Sequence, residues 1–347
     1  MQLTKSDYSK PSADVAIEAQ GWMECDRALL ARQREISQHL LNGLQRKNCL
    51  LCGNTLEVSH RYVHRGVDYL QCIHCGHLQT RIQPPAGYPH DQSGSGFEAI
   101  YPQLDGKEYL SRRDRIYMPK LEWLLSRVNI VGYSVESALS ASWLDFGCGA
   151  GYFLHALRGK GARNVIGLDE NADLIAEANR HCGGEVAHVS KILFEDLEAS
   201  SAEIITAFFV LEHIEEAATM WRILGDKPRG TLFAFAVPTF GLSTIIEGAV
   251  HDFAARNLDN GVHTQLYTDR SIDHALEQAG YRKVAEWLFG QDAQDLCRIL
   301  LQRVTAHMDP EIAAKALQQL NELVDPLQNV IDRARFCDAR HVLAEKL

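Results

Sequence analysis

Two groups of residues in this chain have the types and spacing for chemistry. The first is four cysteines, Cys49-Leu50-Leu51-Cys52 and Cys72-Ile73-His74-Cys75, in the pattern C-x2-C, nineteen residues, C-x2-C. Each pair is followed by a glycine, Gly53 or Gly76, which permits the tight turn that aims two thiolates at one metal. Four thiolates at this spacing form a closed tetrahedral site suited to structural Zn2+, with no open position for catalysis. Free or redox-active thiols are the alternative. The second group is Ser142-Trp143-Leu144-Asp145-Phe146-Gly147-Cys148-Gly149-Ala150-Gly151. Residues 142–146 predict a buried strand, the three glycines a turn, and Tyr152-Phe153-Leu154-His155-Ala156-Leu157 the start of a helix. Such a turn lets bare backbone N–H groups approach a nucleotide-type ligand closely. The dinucleotide fingerprint G-x-G-x-x-G needs a glycine at its sixth position, where this chain has Tyr152. The third glycine comes one place early, giving D-x-G-x-G-x-G with Asp145 ending the strand. Asp169 follows Gly147 by 22 residues, at the end of a second predicted strand over 164–170. That spacing puts its carboxylate where it can accept both hydroxyls of a ribose.

With Asp169 in place, the chain resembles the class I S-adenosylmethionine-dependent methyltransferases. The resemblance extends through Ile204-Ile205-Thr206-Ala207-Phe208-Phe209-Val210-Leu211-Glu212-His213-Ile214, like that family's fourth strand and following turn, and Gly230-Thr231-Leu232-Phe233-Ala234-Phe235-Ala236-Val237-Pro238, like its fifth strand. His263-Thr264-Gln265-Leu266-Tyr267-Thr268, followed by Leu276-Glu277-Gln278-Ala279-Gly280-Tyr281, is similar to its later "H-L-x-x-F-T … L-x-x-A-G-F" segment. The match covers roughly residues 120–290.

The resemblance implies a site. Gly147, Cys148, Gly149 and Gly151, with Tyr152 at the helix start, would line the methyl donor. Asp145 would help hold its ammonium, Asp169 its ribose with Glu170 adjacent, and Leu193 and Phe194 its adenine. Many relatives place an aspartate at Leu193, and Glu195 or Asp196 could serve instead. Phe208 and Phe209 would face the methyl group. If the acceptor is a hydroxyl, His213 beside Glu212 is a candidate general base, the alternative being a structural histidine. His263 is a second candidate, with His251 and Tyr267 behind it. Some methyltransferases hold a divalent metal with E-x-x-E-H at this place; Phe209 here occupies the first glutamate position, which puts that metal in doubt.

The elements that must position these residues form an α/β chain. The expected architecture is a Rossmann-like class I methyltransferase sheet with helices on both faces. To it are added an N-terminal helix, a small zinc ribbon and a C-terminal helical insertion. Residues 1–15 read as a loose polar leader within an N-terminal segment 1–45 that is helical over 16–44. The ribbon spans 46–83, with one strand expected over 62–70. Residues 84–120 form a linker and lid, with a hinge signal at Ser93-Gly94-Ser95-Gly96 and the aromatic residues Phe97, Tyr101, Tyr109 and Tyr117. The methyltransferase domain covers 121–347, opens on a helix over 116–128, and carries a helical insertion at about 291–336 that is suited to contact with a second copy of the chain. Its sixth and seventh strands are expected at 282–289 and 341–345.

Composition sets outer limits. The 347 residues carry a net charge of −10, with 46% hydrophobic and 23% charged residues, as expected of a soluble globular protein. That acidity argues against a nucleic-acid partner, and the balance of +3 over residues 46–83 is too small to reverse it. Nine cysteines without a secretion signal point to the reducing cytoplasm and metal binding rather than disulfides. No membrane span is expected, because the most apolar stretch, 231–250, is broken by Pro238, Gly241, Glu247 and Gly248. The favoured function is methyl transfer from S-adenosyl-L-methionine to oxygen or carbon of a small-molecule or glycan acceptor. The rivals are an RNA or protein methyltransferase that docks its substrate on the ribbon, and a non-catalytic scaffold.

Overall fold

A computed structural model describes residues 4–14, 16–85, 106–259, 263–305 and 308–347. The hinge at 93–96 and the aromatic residues Phe97 and Tyr101 lie outside them. In chain order the elements are β1 Lys5–Tyr8, α1 Ala16–Leu40, β2 Val58–His64, β3 Val67–Cys72 and β4 Leu78–Thr80. Then come α2 Gly106–Arg112, a π-helical turn Arg113–Tyr117, α3 Met118–Leu125, α4 Val135–Ser140, β5 Trp143–Phe146 and α5 Tyr152–Gly159. After these lie β6 Val165–Asp169, α6 Ala172–Cys182, β7 Ala187–Val189, α7 Leu193–Ala199, β8 Ile204–Phe208, α8 Ala217–Gly225 and β9 Leu232–Pro238. The chain closes with α9 Leu242–Ala249, β10 Gln265–Leu266, α10 Asp269–Gln278, β11 Tyr281–Leu288, α11 Asp292–Thr305, α12 Pro310–Arg333 and β12 Ala339–Lys346.

The central strands are unbroken apolar runs because both faces of their sheet are covered. Every residue of β5, β8 and β9 is buried. Alternation along β9 divides the core: Phe233, Phe235 and Val237 pack with Trp221 of α8 and Leu276 of α10. Leu232, Ala234 and Ala236 pack on the opposite face with Leu121 and Leu124 of α3 and Phe153 of α5. The eight-stranded sheet has the order β1-β11-β12-β9-β8-β5-β6-β7. Strands β7, β6, β5, β8 and β9 run parallel, and β12 lies antiparallel between β9 and β11. The two helices α11 and α12 fill the connection from β11 to β12, as expected of the insertion. This is the Rossmann-like fold that the glycine turn predicts.

Three segments differ from expectation. The polar leader contains a strand: β1 adds to the sheet edge, Lys5 opposite Ala285 through Tyr8 opposite Leu288. Its burial is only partial, so it carries no apolar signature. The single strand expected over 62–70 is a hairpin, β2 and β3, reversed at Arg65 and Gly66, which both have positive φ. The helix expected over 116–128 ends at Leu125 and is preceded by the π-helical turn.

A second sheet, β10-β4-β3-β2, joins the cysteine-bearing segment to the large sheet's side of the molecule. Gln265 and Leu266 of β10 pair antiparallel with Gln79 and Leu78 of β4. Cys49, Leu51, Cys72 and Cys75 share one core cluster with Met220, Trp221 and Tyr267. Helix α1 covers the other side of this sheet, packing Ile36 and Leu40 on Val67, Tyr69 and Leu266. No helix among the described residues is long and apolar enough to cross a membrane.

The turn from α12 into β12 holds Arg335 at φ 58, a left-handed conformation that costs a side-chain-bearing residue energy. Its guanidinium offsets the strain by donating to Glu286 at 3.0 Å and Asp269 at 2.9 Å, and Ser6 Oγ also donates to Glu286 at 2.8 Å. Burial raises the Glu286 carboxyl, but the bond from Arg335, the Lys283 charge and the bond from Ser6 outweigh it and bring it down to about 2. A depressed folded-state value stabilises above the ordinary 4.5 and is lost as pH falls toward 2. Urea unfolding of Glu286→Gln should therefore show a deficit of about 2 kcal/mol near neutral pH that shrinks by pH of about 2.5.

Candidate functional site

The strand sequence reverses direction between β5 and β8, and ligands of open parallel sheets bind beyond the carboxyl ends of such strands. The glycine turn lies there. Gly147, Gly149 and Gly151 have φ of 71°, 51° and 73°, which glycine adopts without strain. Their surroundings differ. A Cβ on Gly147 would come within 2.6 Å of Val210 Cγ2, and one on Gly151 within 2.6 Å of Ala178 Cβ. A Cβ on Gly149 would meet nothing within 4 Å. The turn is thus pressed against the protein at both ends and open in the middle.

Asp169 ties the turn down. Its Oδ2 accepts from the Gly149 N–H at 2.9 Å, and its Oδ1 accepts from the Asn171 N–H at 2.9 Å. Asn171 in turn caps α6, its Oδ1 accepting from the Asp173 and Leu174 amides. A carboxylate has about four lone-pair sites, so Asp169 keeps capacity for a ligand's hydroxyls. Asp145, at the end of β5, is 4% exposed, and its Oδ1 accepts from Thr206 Oγ1 at 2.6 Å. Burial pushes its carboxyl up to about 7; the Thr206 bond and the Lys120 charge oppose this and the Asp169 charge adds to it.

Other anticipated residues fall around this turn. Cys148 turns its side chain into the sheet against Gly167, so its backbone alone lines the turn, and burial holds its thiol well above the usual value. Tyr152 opens α5 and stacks on Tyr109 at 4.3 Å and Tyr117 at 5.1 Å. Tyr109 also donates to the Ala150 carbonyl at 3.0 Å, so the two described aromatic residues of the anticipated lid pack on the turn. Glu170 is exposed, and its carbonyl accepts from Lys191 Nζ. Leu193 and Phe194 begin α7 half-buried, while Asp196 accepts from Ser190 Oγ at 2.6 Å and Glu195 is exposed.

Across the turn, Phe208 ends β8 against Phe153 at 4.8 Å, and Phe209 follows with φ 59 and 37% exposure. The next turn brings Glu212, His213 and His263 together, with one ligand-type atom of each within 4.8 Å of the others. His213 Nε2 lies 3.8 Å from Glu212 Oε1. His263 Nδ1 is 3.2 Å from the Asn257 carbonyl, which can only accept, so that nitrogen carries the proton and Nε2 is left as an acceptor. Burial pushes His263 down to about 4. Tyr267 is fully buried against His77 and Trp221, a packing position rather than a catalytic one. His251 lies beside His64, with their ring centroids 5.8 Å apart.

Lys120 was not anticipated from the sequence. It is 3% exposed, and its ammonium stands over the rings of Tyr117 at 4.7 Å, Phe209 at 4.8 Å and Phe208 at 5.6 Å. It supplies positive charge between Asp145 and Glu212. A lone lysine in the apolar run of α3 was the available signal.

The four cysteines converge as their spacing implies. Cys49 Sγ lies 3.6 Å from Cys75 Sγ, Cys52 Sγ 3.8 Å from Cys72 Sγ, and all four sulfurs lie within 4.8 Å of one another. A tetrahedron of sulfurs about 2.3 Å from zinc has edges of about 3.8 Å, so the donor set can hold one such ion.

Comparison with known proteins places this geometry. The family model described as "Methyltransferase domain" matches residues 110–286, half of the chain. No curated protein matches. Among solved structures, magnesium protoporphyrin IX methyltransferase from Synechocystis PCC 6803 with bound SAH is similar at 14% identity, covering 75% of this chain and 97% of that one, with a TM-score of 0.45. A SAM dependent methyltransferase from Archaeoglobus fulgidus is similar at 17% identity, 69% and 97% coverage, and a TM-score of 0.44. A putative sarcosine dimethylglycine methyltransferase from Galdieria sulphuraria gives 17% identity, 66% and 86% coverage, and a TM-score of 0.41.

Glu212 yields a prediction independent of ligand. It is 1% exposed and its Oε2 has no hydrogen-bond partner among the described residues. Burial pushes its carboxyl up to about 8 against the opposing effects of its own backbone N–H and the Lys120 charge. A raised acid is stabilising while protonated, and the cost of ionising it grows as pH climbs from the ordinary 4.5 through about 8. In urea titrations, Glu212→Gln should match wild type near pH 5 and exceed it by roughly 1–3 kcal/mol near pH 9.

Proposed function

The chain belongs to the methyltransferase-domain family, and from that premise we propose that it transfers the methyl group of S-adenosyl-L-methionine to oxygen or carbon of a small-molecule or glycan acceptor. The observation that carries the assignment of the donor site is the turn itself: open on one flank at Gly149 and anchored beneath by Asp169. S-adenosylmethionine supplies a methyl group on a sulfonium, already activated for in-line displacement. The protein has to bind that group, exclude water and align the acceptor.

In this reading the bare backbone at Gly147, Cys148 and Gly149 receives the methionine part. Asp145 meets its ammonium, whose positive charge favours the ionised carboxylate over the neutral acid that burial favours. Asp169 accepts the ribose hydroxyls with the lone pairs left by its two amide bonds, Glu170 stands beside it, and Leu193 and Phe194 cover the adenine. Phe208 and Phe209 keep water from the transfer path. On the acceptor side, His213 takes the proton of an acceptor hydroxyl, and neutral His263 accepts a hydrogen bond at Nε2. The four-cysteine set holds a structural Zn2+, whose ligation supplies folding free energy to a segment with few apolar residues of its own.

Two measurements test this function. Calorimetry with S-adenosylmethionine should show one site per chain, weakened at least about tenfold by Asp169→Ala, since each lost hydrogen bond to a charged group is worth roughly 1.5–3 kcal/mol. Absence of binding by the wild type refutes the enzyme. Elemental analysis should find about one zinc per chain, lost in Cys72→Ser; a folded, metal-free wild type refutes the ribbon.

A further inference from the structure

The segment that carries Glu212 and His213 is tied to the cysteine centre by side chains that the proposed chemistry does not use. Gln265 is fully buried between them. Its Nε2 donates to the Leu211 carbonyl at 3.2 Å and to the Ile214 carbonyl at 2.5 Å, bracketing Glu212 and His213. Carbonyl oxygens only accept, so the amide orientation is fixed and Gln265 Oε1 must face His77 Nε2, 2.7 Å away. His77 Nε2 therefore carries the proton. His77 is fully buried too, and belongs to the second knuckle: its carbonyl accepts from the Cys72 N–H at 2.9 Å, and its backbone N–H donates to the Cys75 sulfur.

Parallel ties reinforce this path. Gln265 pairs across the sheet with Gln79, whose side chain accepts from the Leu50 N–H at 2.8 Å and donates to the Asn48 carbonyl at 3.2 Å in the first knuckle. Arg46 pairs with Glu215 at 2.7 Å, and the Ala218 N–H donates to the Leu50 carbonyl at 2.9 Å. The donor-side turn is anchored differently. Among the described residues its hydrogen bonds outside the turn run to Leu168, Asp169, Tyr109, Cys182 and the following helix α5.

We infer that Gln265 is a positioning residue that couples the four-thiol centre, through His77, to the Leu211–Ile214 turn. The fully buried glutamine can satisfy both carbonyls only while His77 holds its other end, and His77 keeps its place only while the second knuckle is closed. Loss of the metal loosens the acceptor side of the site and leaves the donor side intact. This role rests on the assignment of Glu212 and His213 to the acceptor side, but its test needs no turnover.

The test uses the full chain with isotope-labelled histidine. The ring resonances of His213 should shift in Gln265→Met and in His77→Phe, and shift likewise when a chelator strips the metal from the wild type. His77→Gln, which keeps an N–H donor, should restore wild-type resonances. S-adenosylmethionine affinity in Gln265→Met should stay within about twofold of wild type, because Asp169, not Gln265 or His77, fastens the donor-side turn, and no direct hydrogen bond among the described residues joins that turn to Gln265. Unchanged His213 signals in both Gln265→Met and His77→Phe, or after metal removal, overturn the coupling. A parallel loss of S-adenosylmethionine affinity overturns it as well, because it marks a general loss of structure. Where Gln265→Met does not fold, His77→Phe carries the same decision.

Discussion

The bond between the Gly149 amide and the Asp169 carboxylate is the constraint on which the donor side depends. It fastens the turn after β5 to the end of β6, and the second oxygen of the same carboxylate fastens the start of α6 through Asn171. Without that anchor the middle of the turn would be unfastened, because the Leu168 carbonyl holds only the amides of Gly147 and Cys148. The anchor also fixes what the turn can present. With Gly147 blocked by Val210 and Gly151 by Ala178, the free flank at Gly149 is the approach left to a ligand. Asp145 is then buried next to a second carboxylate, a costly arrangement that Thr206 and the Lys120 ammonium relieve. Lys120 extends the same relief to Glu212, so one buried cation serves both buried carboxylates.

The cysteine-bearing segment answers to a different constraint. Its core is the core of its neighbour: Cys49, Cys72 and Cys75 lie in the cluster that contains Trp221, Tyr267 and Phe235. Strand β10 completes the small sheet, yet it is supplied by the chain after β9. Neither half of that sheet is closed without the other. The inferred link between the four-thiol centre and the turn after β8 follows from this shared construction, because the same two-residue β-pairing that finishes the small sheet also delivers Gln265 to the carbonyls of Leu211 and Ile214.

What was legible in the sequence is what local chemistry dictates. The four cysteines had to converge because their spacing leaves few other uses for thiols, and they do. The glycine turn was legible because left-handed φ is glycine's province, and Asp169 because a fixed helix length separates it from Gly147. Strands β8 and β9 were legible through the family resemblance, and the structure buries every residue of both. Features set by distant partners were not legible. Strand β1 is polar because it sits at an edge, and only its pairing with β11 makes it a strand. The β2–β3 reversal hid in Arg65-Gly66, one glycine in an otherwise continuous β pattern. Lys120, Thr206, His77 and Gln265 owe their importance to contacts tens or hundreds of residues away.

This difference has a physical order to it. Donor binding requires backbone geometry, and backbone geometry is written in glycine positions and strand lengths, so it can be read from a single chain. In the proposed site, acceptor recognition draws on side chains delivered by the turn after β8, the loop before β10 and helix α3, three segments whose juxtaposition exists only after folding. Each of those segments is held by a buried polar contact: Gln265 under the first, Asn257 against His263 in the second, and the ring-enclosed ammonium of Lys120 in the third. Buried polar contacts stabilise little on average but cost much when broken, so they specify one arrangement among several of similar apolar burial. The proposed acceptor side is built from such contacts. Its geometry should therefore respond to changes at the ribbon that the backbone-built donor side does not register.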